Sequence, residues 1–313
     1  MAESSTPSEL RVALSRRFTI RREIGRGGMG VVLQAHDREL DRDVAIKLLT
    51  PSFSQALGAE RFNREIRLTA NLVHPNIVPL FDSGEAAGHL YYVMPLIDGD
   101  TLRSRLERQG PLPAAEVVRV IADLAEALAY AHTAGVIHRD IKPENVFWYR
   151  QRALLSDFGI ATAQIPPTGK RLTATGMVVG TLDYLSPEQA EAEGALDGRA
   201  DLYSLGCMAY ELLGGHPPYI TRSPVAALAA HLTAPVPDIR STRPDVPELL
   251  AILLTELMAK RAEERPPSAT ALLDRLRAVD LGAHPASAPA PAAPLRRGSP
   301  QALELYDRGL DFY

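Results

Sequence analysis

Gly25-Arg26-Gly27-Gly28-Met29-Gly30-Val31-Val32 decides between two architectures, because glycines at this spacing serve both of them. In either, the missing Cβ atoms let backbone amides approach phosphate oxygens that a side chain would hold off. A dinucleotide-binding fold needs a helix directly behind the last glycine. Here residues 31–33 read as a strand and 37–43 as a turn, so the glycines cap a hairpin. On this stretch alone, an ordinary flexible glycine turn stays open as the plainer alternative.

Downstream, Val44-Ala45-Ile46-Lys47 falls on the next predicted strand, from which Lys47 can point back beneath the loop. An inward lysine needs an anion; bound nucleotide phosphates are one source, and Glu65 on a predicted helix is another. Short β-branched or aromatic runs predict strands at 18–24, 31–36, 44–49 and 90–94, with a single helix at 59–72. From 102 to 278 the period becomes helical, clearest where Val117, Ile121, Leu124 and Leu128 recur at spacings of four, three and four. The class this implies is α+β: a small, mainly β region, a crossing near 95–98, then a larger, mainly α region.

Composition narrows the function. The chain has 313 residues, 46% apolar and 23% charged, enough for a sizeable buried core. A net charge of −4 gives no basic stripe for a phosphate backbone, so nucleic acid is not an expected partner. Cys207 is the one cysteine, which excludes an intrachain disulfide and fits a reducing cytoplasm. The first nine residues are polar and acidic, and no stretch of 18 lacks a charge, so neither secretion nor a membrane span is expected. After residue 281 the text turns Ala- and Pro-rich to about 300, a semi-extended linker. Residues 301–313 regain helical spacing through Leu303, Tyr306 and Leu310. They read either as a frayed terminal helix or as the start of a tetratricopeptide-type repeat.

The densest chemistry lies at His138-Arg139-Asp140-Ile141-Lys142-Pro143-Glu144-Asn145, which packs a base, two cations and an amide ligand into eight positions. Asp157-Phe158-Gly159 begins 12 residues after Asn145. With these two motifs behind a glycine hairpin and Val-Ala-Ile-Lys, the chain resembles the eukaryotic-type (Hanks-type) serine/threonine protein kinases, in their bacterial branch, over residues 18–279. The resemblance implies the bilobed protein kinase fold. A mainly-β N-lobe with one regulatory helix would span about 18–94, a hinge 95–98 and a mainly-α C-lobe 99–280, behind an N-terminal tail of 1–17.

Carried over residue by residue, the resemblance makes Asp140 the group that accepts or orients the substrate hydroxyl proton. Lys142 would neutralise charge growing on the γ-phosphoryl, and Glu65 would hold Lys47 against the α- and β-phosphates. Asn145 and Asp157 would hold Mg²⁺, with Mn²⁺ able to substitute, since a hard oxygen pair suits an ion that takes its remaining ligands from phosphates and water. ATP would contact Ile24, Gly25, Gly27, Gly28, Gly30, Val32, Ala45, Lys47, the gatekeeper Met94, the Pro95 carbonyl and the Ile97 N–H. Pro95 stands where the family more often has glutamate; proline loses only an N–H that adenine does not use. Lysine two residues beyond Asp140, together with Thr181, resembles the serine/threonine branch. Phe158 and Gly159 complete the second motif.

Ser186-Pro187-Glu188 stands where the family usually has Ala-Pro-Glu, with Arg265 placed to pair with Glu188. Asp201 resembles the helix aspartate that braces the catalytic loop. The loop of about 30 residues before Glu188 contains Thr162, Thr168, Thr173 and Thr175, of which Thr173 and Thr175 resemble the paired autophosphorylation sites of bacterial relatives. A phosphate there adds about −1.5 to −2 charges, and Arg139 is its natural receiver. Protein serine or threonine side chains are the implied substrates, and a homodimer through the N-lobe is expected from resemblance alone.

Two other functions compete. A pseudokinase scaffold requires a lost ligand, yet Lys47, Glu65, Asp140, Asn145 and Asp157 are all present. A small-molecule kinase shares the aspartates but usually lacks the long loop and the Pro-Glu anchor. A P-loop NTPase is excluded because G-x-x-x-x-G-K-[ST] is absent.

Overall fold

Phe18–Gly27 (β1) and Gly30–Asp37 (β2) form the glycine-tipped hairpin as two antiparallel strands, paired from Phe18 opposite Asp37 to Gly27 opposite Gly30. The structure is a computed structural model that describes residues 8–28, 30–158, 179–191, 196–221 and 223–279. These divide into two units, the first comprising the residues up to Pro75 with Pro79–Ile97, the second Asn76–Val78 with the residues from Asp98.

In the first unit, β1 and β2 join Arg42–Leu49 (β3), Asp82–Ala86 (β4) and His89–Pro95 (β5) in one antiparallel sheet of order β1-β2-β3-β5-β4. Alternation along β2 and β3 sends Leu33, Ala35, Val44, Ile46 and Leu48 to one buried cluster. Within the segment read as a tail, Ser8–Leu14 (α1) is helical, and its Leu10 and Leu14 are buried in that cluster beside Phe18. Arg17 then bonds Asp37 at the end of β2 and Asp82 at the start of β4.

Where one helix was expected, two occur: Pro51–Leu57 (α2) and Ala59–Ala70 (α3). Thr50 caps the first by accepting from the Phe53 N–H, with Pro51 at the first helical position, an N-terminal signal present in the text. Gly58, at φ +74°, separates the two because an L side chain rarely takes that conformation. Strand β4, Asp-Ser-Gly-Glu-Ala, lacks β-branched residues and exists through its pairing with β5.

The second unit is mainly helical: Leu102–Gln109 (α4), Ala114–Thr133 (α5), Pro187–Glu191 (α6), Arg199–Gly214 (α7), Pro224–Thr233 (α8), Glu248–Leu257 (α9) and Ala269–Leu276 (α10). A three-stranded sheet of Asp100–Thr101 (β6), Val146–Tyr149 (β7) and Arg152–Leu155 (β8) carries the catalytic-loop motifs at its edges. All residues of α7 from Ala200 to Leu213 are buried, the mark of a helix enclosed on every side. A Cβ on Gly206 would stand 2.8 Å from the Cβ of Leu257, so glycine permits α7 to approach α9. Among the described residues, no helix is long and apolar enough to cross a membrane.

Candidate active site

In the first unit, hydrogen-bond register fixes the neighbours of each predicted nucleotide contact. Val32 lies opposite Lys47, Ala45 opposite Met94, and Val44 opposite Pro95, while Gly25 faces Val32 across the hairpin. A Cβ on Gly30 would strike the Leu48 carbonyl oxygen, so the fold itself demands that glycine. A Cβ on Gly27 would meet nothing within 4 Å, so packing gives no reason for glycine there. Gly28 is in the exposed turn beside it, and Ile24 is partly exposed on β1. Lys47 places its Nζ 5.9 Å from the centre of the Tyr92 ring. Glu65 sits on α3, largely shielded, with an oxygen 3.7 Å from Arg64. Ile97, two residues beyond Pro95, closes the unit.

In the second unit, the eight-residue motif folds around Asp140. Lys142 Nζ donates to Asp140 Oδ2 at 2.7 Å, and Asn145 Nδ2 donates to the same oxygen at 3.0 Å and to the Asp140 carbonyl at 2.8 Å. A carboxylate engaged by an ammonium and an amide is fixed in direction. His138, fully buried, donates from Nε2 to the Ser156 carbonyl at 2.8 Å, and its Nδ1 accepts the Asp140 N–H at 3.2 Å. Those two partners fix the neutral tautomer with the proton on Nε2.

Asp157 follows Ser156 with φ +66°, and Phe158 packs edge-on to His138 with ring centres 4.6 Å apart. Ser156 itself is tied to the Asn145 carbonyl through both its N–H, at 2.9 Å, and its hydroxyl, at 3.0 Å. The peptide carrying Asp157 is thereby joined to the one carrying Asn145.

Support comes from α7. The buried Asp201 carboxylate accepts the His138 N–H at 2.9 Å, the Arg139 N–H at 2.7 Å and a His132 ring nitrogen at 2.8 Å. Arg139 takes φ +70°, a conformation unfavourable for a side-chain-bearing residue that the surrounding bonds must over-determine. Thr181 lies on the 3₁₀ helix Val179–Tyr184, ahead of α6, where Glu188 pairs with Arg265. Gly159, Thr162, Thr168, Thr173 and Thr175 lie outside the described residues, as do the segments 281–300 and 301–313.

Several contributors were not singled out from the sequence. Gln189 donates from Nε2 to the Arg139 carbonyl at 3.0 Å. Arg103 on α4 bonds Glu144, Glu211 and the Tyr184 hydroxyl at 2.6 to 2.8 Å. Beside them, burial and the neighbouring Glu211 charge push the Asp183 carboxyl up to about 6, against the pull of Arg103. These contacts join residues 41 to 108 positions apart, a separation that no local motif announces. Ser186-Pro187-Glu188-Gln189 is the exception, since it reads as a capping box.

A model of the protein kinase domain matches residues 18–276. Serine/threonine-protein kinase PknB of Mycolicibacterium smegmatis is 42% identical over 283 residues, which cover 88% of this chain and 44% of that protein. Serine/threonine-protein kinase PknH of Mycobacterium tuberculosis is 39% identical over 254 residues, 80% of this chain and 40% of that protein. The chain thus spans less than half the length of these relatives. Among solved structures, the PknI kinase domain of Mycobacterium tuberculosis superposes with TM-score 0.67 at 30% identity, covering 88% of this chain and 98% of that one. Rad53 residues 1–466, solved with AMP-PNP, shares the fold at TM-score 0.69 and 22% identity, covering 84% and 65%. From its catalytic loop, its hairpin and a family match over most of its length, the chain belongs to the protein kinase family.

Proposed function

We propose that this chain transfers the γ-phosphoryl group of ATP to serine or threonine hydroxyls of proteins, the activity for which its relatives PknB and PknH are named. The observation that carries the reading is the meeting of Lys142 and Asn145 on one carboxylate oxygen of Asp140, at 2.7 and 3.0 Å. Phosphoryl transfer passes through a loose transition state, so a kinase contributes placement and charge rather than covalent chemistry. Asp140 orients the substrate hydroxyl and takes its proton; Lys142 answers the charge on the departing phosphoryl. The glycine hairpin and Lys47 hold the phosphates, with Glu65 as the lysine's counter-charge and Met94, Pro95 and Ile97 at the adenine.

The donor set fits magnesium. With Asn145 Nδ2 donating to Asp140, Asn145 Oδ1 and the Asp157 carboxylate are the hard oxygens that would hold the ion, and among the described residues no cluster of three or more His, Cys, Asp or Glu could hold a metal. Mg²⁺ takes few protein ligands, and Mn²⁺ accepts the same set. Bound there, the ion would neutralise phosphate charge. The domain would act in the cytoplasm, where ATP is available. Its activation by phosphorylation of Thr173 and Thr175, with Arg139 as receiver, and a homodimer through the first unit belong to the same reading. Mass spectrometry after ATP incubation and sedimentation test these two.

Incubation of wild type and Asp140→Asn with labelled ATP, magnesium and a generic basic protein tests the central claim. Transfer should vanish in the variant while nucleotide binding persists. Equal transfer by the two proteins, or none by the wild type, overturns the assignment.

A further inference from the structure

At the start of α6, Ser186 and Gln189 bond each other twice. The Ser186 N–H donates to Gln189 Oε1 at 3.1 Å, and the Gln189 N–H donates to Ser186 Oγ at 3.4 Å. This is a capping box, in which glutamate and glutamine serve equally because only a side-chain acceptor is needed. Gln189 does something more. Its remaining Nε2 donates to the Arg139 carbonyl at 3.0 Å, a bond that a carboxylate cannot make.

The carbonyl it holds belongs to the peptide that enters Asp140. That peptide's N–H donates to His138 Nδ1 at 3.2 Å, and the Arg139 N–H before it donates to Asp201 at 2.7 Å. The Arg139–Asp140 peptide is therefore fixed at both its oxygen and its nitrogen, beside a residue at φ +70° that would otherwise relax. Ser186 is fully buried and Gln189 is 4% exposed, so water cannot readily replace these partners. On the same short helix, Glu188 pairs with Arg265.

We propose that Gln189 is a positioning residue for phosphoryl transfer: it ties the α6 cap to the Arg139 carbonyl and so sets the direction of the Asp140 carboxylate. The proposal rests on the kinase reading above. It also accounts for the pair of residues at 186 and 189, serine to complete the cap and glutamine, in place of the equally good cap glutamate, to reach the catalytic loop.

The decisive variant is Gln189→Glu, which keeps the cap acceptor and exchanges only the donor. In its ionised form it turns an oxygen toward the Arg139 carbonyl, and kcat should fall about tenfold, the effect of one lost buried hydrogen bond, with KM for ATP unchanged. Protonated, its O–H can donate to that carbonyl, so the ratio of variant to wild-type kcat should rise as pH is lowered from 8 to 6. Ser186→Ala, which removes a cap acceptor and leaves the donor, should lower the melting temperature while kcat stays near wild type. Backbone hydrogen exchange over residues 138–141 should be faster in Gln189→Glu than in wild type. Wild-type transfer with no change in kcat or exchange in Gln189→Glu overturns the proposal, as does a loss that is independent of pH and matched by Ser186→Ala. If wild type transfers no phosphate, the kinase reading fails, and the exchange comparison still decides whether Gln189 holds the loop.

Discussion

Arg265 grips Glu188 with both arms of its guanidinium: Nη1 stands 2.6 Å from Oε1 and Nη2 2.8 Å from Oε2. The arginine side chain is fully buried, whereas the glutamate retains 24% exposure. The other guanidinium N–H groups reach the carbonyls of Ala259, Arg199 and Lys260, so Arg265 ties α6 to α7 and to the turn after α9. Removing one partner of a buried pair leaves the other charge uncompensated. Glu188→Ala should therefore lower unfolding stability by about 3 to 5 kcal/mol, and Glu188→Gln, which keeps an acceptor, by less. Urea unfolding monitored by circular dichroism measures both, and an unchanged midpoint in Glu188→Ala would exclude a stabilising pair.

Lys142 should matter to the rate far more than to nucleotide affinity. Its Nζ donates to Asp140, the group that would take the hydroxyl proton, so its charge is placed for the transferring group. Lys142→Ala should lower kcat by about 10² to 10³, the scale of one electrostatic donor in a shielded site, with KM for ATP within a few-fold. Lys142→Arg should recover little, since a planar fork does not reproduce a compact point charge. Steady-state kinetics at varied ATP separate the two constants. A rise in KM at constant kcat would place the residue in ground-state binding instead.

The helix α1 should be part of the first unit's stability. Leu10 is 1% exposed and Leu14 3%, both in one buried cluster with Phe18 and the sheet residues Leu33 and Ile46. Leu10→Ala and Leu14→Ala should each cost about 2 to 5 kcal/mol through lost burial and the cavity left behind. Val12, on the same helix but 68% exposed, serves as the control, and Val12→Ala should change stability little. Equal thermal unfolding of all three variants and wild type would show that α1 contributes nothing.

How far the sequence spoke depends on the range over which each signal acts. The hairpin was legible because glycine spacing and the β-branched residues after it act locally, and the pairing of Gly27 with Gly30 needs only those neighbours. The convergence on Asp140 could likewise be anticipated, since Lys142 and Asn145 lie two and five residues away. Strand β4 was not legible: Asp82–Ala86 carries weak strand formers and gains its conformation from β5. Helix α1 is not legible because seven residues ahead of the first strand offer too short a period to separate from a polar tail. Asp201 could be placed by family resemblance. That His132, His138 and Arg139 all meet its carboxylate is a property of α5 and α7 lying together, over separations of 62 to 69 residues.

His231 should give the fold a sensitivity to mild acid. Its ring, 1% exposed on α8, has Nδ1 at 2.9 Å from the Tyr203 hydroxyl on α7 and stands edge-on to Tyr219. Lys260 donates to the Ala230 and His231 carbonyls at 3.1 and 2.8 Å, which brings an ammonium close to the ring. Burial, and then the Lys260 charge, lower the imidazole to about 4 from its ordinary 6.5, so the folded protein holds it neutral. An unfolded chain takes up a proton below 6.5 that the folded one refuses until about 4. This histidine therefore leaves stability unaffected above 6.5 and lowers it as pH falls through that window, by up to about 3 kcal/mol. His231→Gln removes the titration, so its unfolding free energy should change less between pH 6.5 and 4 than that of the wild type. Denaturant unfolding at half-unit pH steps reads the difference, and parallel curves for the two proteins would show that His231 does not drive the acid loss.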